Sequence, residues 1–266
     1  MRICYVIPGD MSGGPLGAAE VRRREAILQG WAFEGTEVSA TDVRNGVCSI
    51  ESSYEELLAA PGGIDRIRAL ETEGVDAAII GCFGDPGLEA AREMVTLPVI
   101  GPGEASMLLA AQLGHRFGVL AVFDSLAATH RGQAFRAGVL DKLCSVRGIE
   151  VPVLELASEP DRTFARIVDV ARAAIDRDGA EVLVFGCMSM SFLDVAPRLS
   201  RETGVPVINA AQAALKAAES LVSIGLSHSR KAYPLPPKMR GNLAAPGVRG
   251  MLHGSCPAEG LPPLGP

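Results

Sequence analysis

Two cysteines occupy equivalent places in an internal repeat. The segment GVDAAIIGC at 74–82 matches GAEVLVFGC at 179–187 position by position, and the copies end on Cys82 and Cys187. A thiolate can take a proton from carbon and a thiol can return one, so two such groups on opposite faces of a carbon acid would invert its configuration, exchanging roles in the reverse direction. A single cysteine at a strand end is more often a small core residue. Here duplication favours chemistry, as does the glycine before each sulfur, which lets a ligand approach the backbone at the strand ends where open α/β sheets place their sites. Backbone N–H groups at Phe83, Gly84, Met188 and Ser189 are candidates to stabilise an enolate oxygen and hold substrate. Asp85 suits an N-cap and Pro86 a first helical position, which would set Cys82 at a helix start and lower its pKa below the roughly 8.5 of free cysteine. Ser189 or Ser191 would cap the helix after Cys187.

Other residues carry weaker signals. The stretch GDMSGGP at 9–15 follows the first strand and lacks the spacing of a dinucleotide loop and the lysine of a phosphate loop. It reads as a plain active-site loop, with Pro8 and Gly9 as candidate substrate contacts. His115, His130, His228 and His253 show no metal-ligand spacing, so no metal site is expected, and His115 reads as structural. Glu104 either points into the cleft or caps the helix beginning at Ala105. Ser125 binds substrate or, on the preferred reading, caps a helix.

The elements that must position these groups alternate. Short β-branched runs at 2–7, 37–39, 77–80, 99–100, 117–122, 151–156, 182–185 and 207–208 are separated by stretches of helical composition at 18–29, 53–73, 87–94, 105–113, 126–140, 162–176 and 210–223. Such a pattern builds mainly parallel sheets flanked by helices, an α/β fold. Each repeat copy is followed by the same next element, LPVIG at 97–101 and VPVIN at 205–209, and RICYVI at 2–7 resembles RFGVLA at 116–121. The chain therefore reads as two pseudo-symmetric lobes with the active site in the cleft between them. The first lobe is predicted over 1–104 plus 207–234 and the second over 105–206. Residues 235–266, rich in proline and glycine, read as a disordered tail containing Cys256.

Composition narrows the partners. At 266 residues and 48% hydrophobic the chain can fill the core of either one large domain or two lobes. A net charge of -6 without a dense Lys/Arg stripe argues against nucleic acid or an anionic membrane and leaves small molecules. The six cysteines never form Cys-x-x-Cys, which argues against a structural zinc site or a disulfide framework. No run is long enough to span a bilayer and no secretory segment opens the chain, so a cytoplasmic location is expected. No cofactor motif is present, so the substrate must itself acidify the reacting carbon.

At these residues the sequence resembles the aspartate/glutamate racemase superfamily and, within it, the hydantoin racemase branch. The resemblance spans most of 1–237 and rests on GCFGDPGL at 81–88, LPVIG at 97–101, LGHRF at 113–117, GCMSM at 186–190 and GVPVI at 204–208. SIESSYE at 49–55 and GLSHSR at 225–230 add to it. It implies two α/β lobes, a metal-independent two-base mechanism on Cys82 and Cys187, and 5-monosubstituted hydantoins or allantoin as substrates. A hydantoin ring amide acidifies the carbon between its carbonyl and nitrogen, which answers the missing electron sink. Amino-acid racemases of the superfamily tend to carry Asn-Thr or Thr after the cysteine, where Phe83-Gly84 and Met188-Ser189 stand here. IPGD at 7–10 and VFDS at 122–125 depart from the hydantoin branch on pocket loops. Alternatives within the superfamily are an amino-acid racemase, a maleate isomerase or an arylmalonate decarboxylase-like enzyme; outside it, a non-catalytic two-lobe binding protein. A homo-oligomer is expected only because such folds commonly form one.

Overall fold

The computed structural model describes residues 1–44 and 46–239. The first half contains β1 (Arg2–Ile7), α1 (Gly17–Trp31), β2 (Glu37–Asp42), α2 (Ser53–Thr72), β3 (Ala77–Ile80), α3 (Leu88–Met94), β4 (Val99–Ile100) and α4 (Pro102–Leu113). The second contains β5 (Phe117–Ala121), α5 (Ala127–Arg136), β6 (Leu143–Gly148), α6 (Pro160–Asp176), β7 (Val182–Phe185), α7 (Met188–Ser191), α8 (Ala196–Thr203), β8 (Val207–Ile208) and α9 (Ala210–Ser223). Two four-stranded parallel sheets result, ordered β2-β1-β3-β4 and β6-β5-β7-β8, so the repeat in the sequence is a repeat of topology.

Alternation along the strands divides the core. Ile3, Tyr5 and Ile7 of β1, Ala77 and Ile79 of β3, Phe117 and Val119 of β5, and Val182 and Val184 of β7 share one cluster with the alanine-rich face of α9. The intervening residues face outward: Cys4, Val6, Ala78 and Ile80 pack with Ile67 and Leu70 of α2, while Leu120, Leu183 and Phe185 pack with Phe164, Ile167 and Ala171 of α6. A period of two thus buries both faces of every central strand, as parallel sheets require. The central cluster joins the sheets.

Several local expectations are corrected. Residues 151–156 form no strand; a 3-10 turn at Val153–Glu155 stands there, and the edge strand beside β5 is β6. Pro152 has no N–H to give a ladder, whereas the polar residues Ser145 and Arg147 are tolerated on an edge. Val207–Ile208, grouped with the first lobe in the sequence reading, pairs with β7 in the second sheet. The return to the first sheet is made by α9, which packs on β3, β4 and α1. The described part of the proline-rich segment ends in a 3-10 turn at Pro237–Met239; the remainder of the expected tail, with Cys256 and His253, lies outside the described residues. No helix among the described residues is long and apolar enough to cross a membrane.

Candidate active site

Both repeat strands end on a glycine for a steric reason. Gly81 donates its N–H to the Val6 carbonyl at 2.7 Å and Gly186 donates to Leu120 at 2.8 Å, the same bond in each half. A Cβ on Gly81 would stand 2.8 Å from the Val6 oxygen and 2.9 Å from Ile7 Cα; on Gly186 it would stand 2.6 Å from Val119 Cγ1 and 3.0 Å from the Leu120 oxygen. Only glycine allows the chain to turn here against its neighbour strand. The next residue in each case is the cysteine.

Cys82 and Cys187 line one cavity at the carboxyl ends of the two sheets. Pro8, Gly9, Phe83, Gly84, Met188 and Ser189, the residues singled out from sequence as substrate contacts, line the same cavity. The rest of the wall is mostly apolar, from Ile7, Met11, Leu16, Val122, Leu126 and Val153. A chamber of this kind holds a small organic molecule and raises the strength of each polar contact inside it.

Three charged or polar side chains in that wall escaped the sequence reading. Arg24 of α1 is 3% exposed, pairs with Glu20 at 2.9 Å, donates to Ser189 Oγ at 2.9 Å, and lies 4.8 Å from the centre of the Phe192 ring. It ties the first half to the segment after Cys187. Glu56 stands in the first turn of α2, a turn fixed by Ser52 as N-cap and by Glu55, whose carboxylate accepts from the Ser52 hydroxyl and the Glu51 amide. Its carboxyl lies where a Cβ on Gly84 would be, so residue 84 must be glycine for Glu56 to enter. His130 of α5 is 2% exposed, packs edge-on against Phe83 at 5.1 Å and meets Gln133 Oε1 through Nδ1 at 2.7 Å. No spacing in the sequence marks these three, because each is brought to the wall by the packing of a different helix.

The electrostatics correct one expectation. Helix α3 begins at Leu88 after Gly87, not at Pro86, so Cys82 has no helix start beneath it. Burial instead pushes the Cys82 thiol well above its ordinary range, the Glu56 carboxylate pushes it further, and only the Gly84 amide opposes them appreciably. Burial also raises Cys187, but there the Met190 and Ser189 amides and the Arg24 guanidinium all favour the thiolate. Glu56 itself is raised to about 7 by burial. Tyr5, fully buried between the sheets, is pushed up to about 12, and its hydroxyl donates to the Gly81 carbonyl at 3.3 Å. The two sulfurs are thus equivalent in topology and unequal in charge environment.

Other candidates take structural roles. Asp85 does not cap α3. With φ 53 it turns its carboxylate to the start of α4, accepting from the Gly103 amide at 2.9 Å and the Glu104 amide at 2.8 Å. Glu104 pairs with Arg92 away from the cysteine cavity. Ser125 is exposed and caps nothing; its neighbour Asp124 accepts from the Gly148 amide at 2.6 Å. His115 is exposed, with its amide on Glu181. Among the described residues no group of three or more His, Cys, Asp or Glu is placed to hold a metal ion.

The family profile described as Asp/Glu/Hydantoin racemase matches residues 17–218. The hydantoin racemase of Pseudomonas sp. (strain NS671) is 36% identical over 208 residues, covering 78% of this chain and 83% of the relative. That of Rhizobium meliloti is 38% identical over 202 residues, covering 75% and 83%. Among solved structures, allantoin racemase from Klebsiella pneumoniae superposes with a TM-score of 0.84 at 34% identity, covering 95% of this chain and 98% of that one. The matched segment contains both repeat strands and both cysteines, and the chain belongs to the Asp/Glu/hydantoin racemase family.

Proposed function

We propose that this protein is a racemase of 5-monosubstituted hydantoins, allantoin included, in which Cys82 and Cys187 exchange the proton at ring carbon 5. The observation that carries the reading is the pair of thiols at equivalent strand ends on the wall of one cavity. The names of the similar proteins support the substrate class.

The chemistry follows from the charge environment. Arg24 and two amides offset more of the burial cost at Cys187 than Gly84 offsets at Cys82, so Cys187 is the readier base. Its thiolate takes the C5 proton of one enantiomer; the electron pair moves onto the adjacent carbonyl as an enolate. Cys82 gives its S–H proton to the opposite face of C5, restoring the carbonyl with inverted configuration. Cys187 is then a thiol and Cys82 a thiolate, the state suited to the other enantiomer. Amides of the segments after the two cysteines are placed to receive the enolate oxygen. The ring supplies the acidity, so the reaction asks for no electron sink.

Decay of the circular dichroism of L- and D-5-alkylhydantoins tests this, with incorporation of deuterium at C5 from deuterium oxide as a second reading. Cys82→Ser and Cys187→Ser are each expected to lose about 10²- to 10⁴-fold in rate, the range for a positioned acid or base. Racemisation retained in either variant, or abolished by a chelator in the wild type, would contradict the mechanism.

A further inference from the structure

We propose that His130 selects the substrate, its Nε2 accepting a hydrogen bond from a ring N–H, so that the cavity recognises cyclic amides and imides rather than free amino acids. The inference rests on the racemase reading and deepens it.

The argument begins at Gln133. Its Nε2 lies 2.6 Å from the Phe83 carbonyl and 3.3 Å from Asp85 Oδ2. A backbone carbonyl only accepts, so the nitrogen of the Gln133 amide must face it, and the amide oxygen must face His130. That oxygen is 2.7 Å from His130 Nδ1 and also only accepts, so Nδ1 carries the proton. Burial favours the neutral ring over the charged one. A neutral imidazole protonated on Nδ1 has a lone pair on Nε2. That nitrogen is buried and has no hydrogen-bond partner among the described residues, while the histidine lines the same cavity as Cys82. A lone pair held in an apolar wall welcomes an N–H and repels a carboxylate. The relay also holds the Phe83 carbonyl, so the group that reads the ring is braced on the segment that carries Cys82.

The test compares an L-5-alkylhydantoin with its N1-methyl and N3-methyl derivatives, in the wild type, His130→Phe and Glu56→Gln. Glu56 is included because it is another acceptor in the wall. In the wild type, one of the two methyl groups is expected to lower kcat/KM at least about 10-fold, since a site built around a substrate N–H rejects analogues lacking it. His130→Phe is expected to lose a similar factor on the parent hydantoin and to stop discriminating against that derivative; Glu56→Gln should keep the discrimination. Equal discrimination in His130→Phe, or its loss in Glu56→Gln alone, overturns the assignment. So does a wild type that racemises all three compounds equally, while a wild type that racemises none overturns the racemase reading and this one with it. If His130→Phe does not fold, 15N spectra of labelled histidine in the wild type decide: an unprotonated Nε2 that shifts when the hydantoin binds is expected, and a protonated Nε2 in the free protein refutes the inference.

Discussion

Replacing Asp85 with alanine, glycine and asparagine separates two ways in which the segment after Cys82 is held. The wild-type carboxylate caps α4 through the Gly103 and Glu104 amides, and the backbone at Asp85 lies in the left-handed region at φ 53. Loss of a cap costs about 1–2 kcal/mol. A residue with a Cβ but no local hydrogen bond adds about 1 kcal/mol in the left-handed region, where glycine adds none. Asp85→Ala should therefore cost about 2–3 kcal/mol and Asp85→Gly about 1–2 kcal/mol; Asp85→Asn tolerates this backbone but keeps one of the two acceptors, its NH2 facing the other donor, so it should also cost about 1–2 kcal/mol. At this chain length the alanine variant should melt about 5–10 °C below the wild type. Burial raises the Asp85 carboxyl to about 7 from an ordinary 3.8. The folded state thus favours the neutral acid, and this contribution is full below the ordinary value and lost as pH rises through about 7. The gap between wild type and Asp85→Asn should accordingly narrow from pH 5 to pH 8. Urea unfolding of the four proteins at both pH values measures this; an alanine variant as stable as the glycine variant, or a gap that widens with pH, would refute the reasoning.

Two further outcomes concern the walls of the cavity. Glu56→Gln removes a carboxylate that disfavours the Cys82 thiolate, so alkylation of Cys82 by iodoacetamide should set in at lower pH while Cys187 changes little; mass spectrometry of each labelled peptide across pH checks this. Gly81→Ala and Gly186→Ala should each cost about 1–3 kcal/mol by overpacking against the neighbouring strand. Denaturant unfolding would show it, and a neutral result at either position would mean that the strand end is looser than its contacts imply.

The paired sheets and the two thiols were legible because duplication leaves its trace in residue types: two apolar runs of one length, each closing on Gly-Cys. The place of the residues after the cysteines on the cavity wall was legible for the same reason, since continuity of the chain carries Phe83, Gly84, Met188 and Ser189 to the cavity with the sulfurs. Arg24, Glu56 and His130 were not. Each sits on a different helix and becomes a wall residue only when that helix docks, and a buried arginine has the same local sequence signature as a solvated one. Asp85 misled because capping was sought in the following helix, whereas a left-handed turn sends its carboxylate to another helix further along the chain. The edge strand was missed because Ser145 and Arg147 break an apolar run, although an edge can expose them.

The unequal surroundings of the sulfurs, Arg24 by one and Glu56 by the other, have a kinetic corollary. Mirror-image molecules in achiral water have equal free energy, so a catalyst that interconverts them must obey a Haldane constraint: kcat/KM is the same in both directions whatever the protein does. Lopsided charge can therefore favour one hand only in how that fixed quotient divides. On the proposed two-thiol mechanism, the enantiomer met by the readier base turns over with one pair of constants, and its mirror image with another, both terms raised or lowered together.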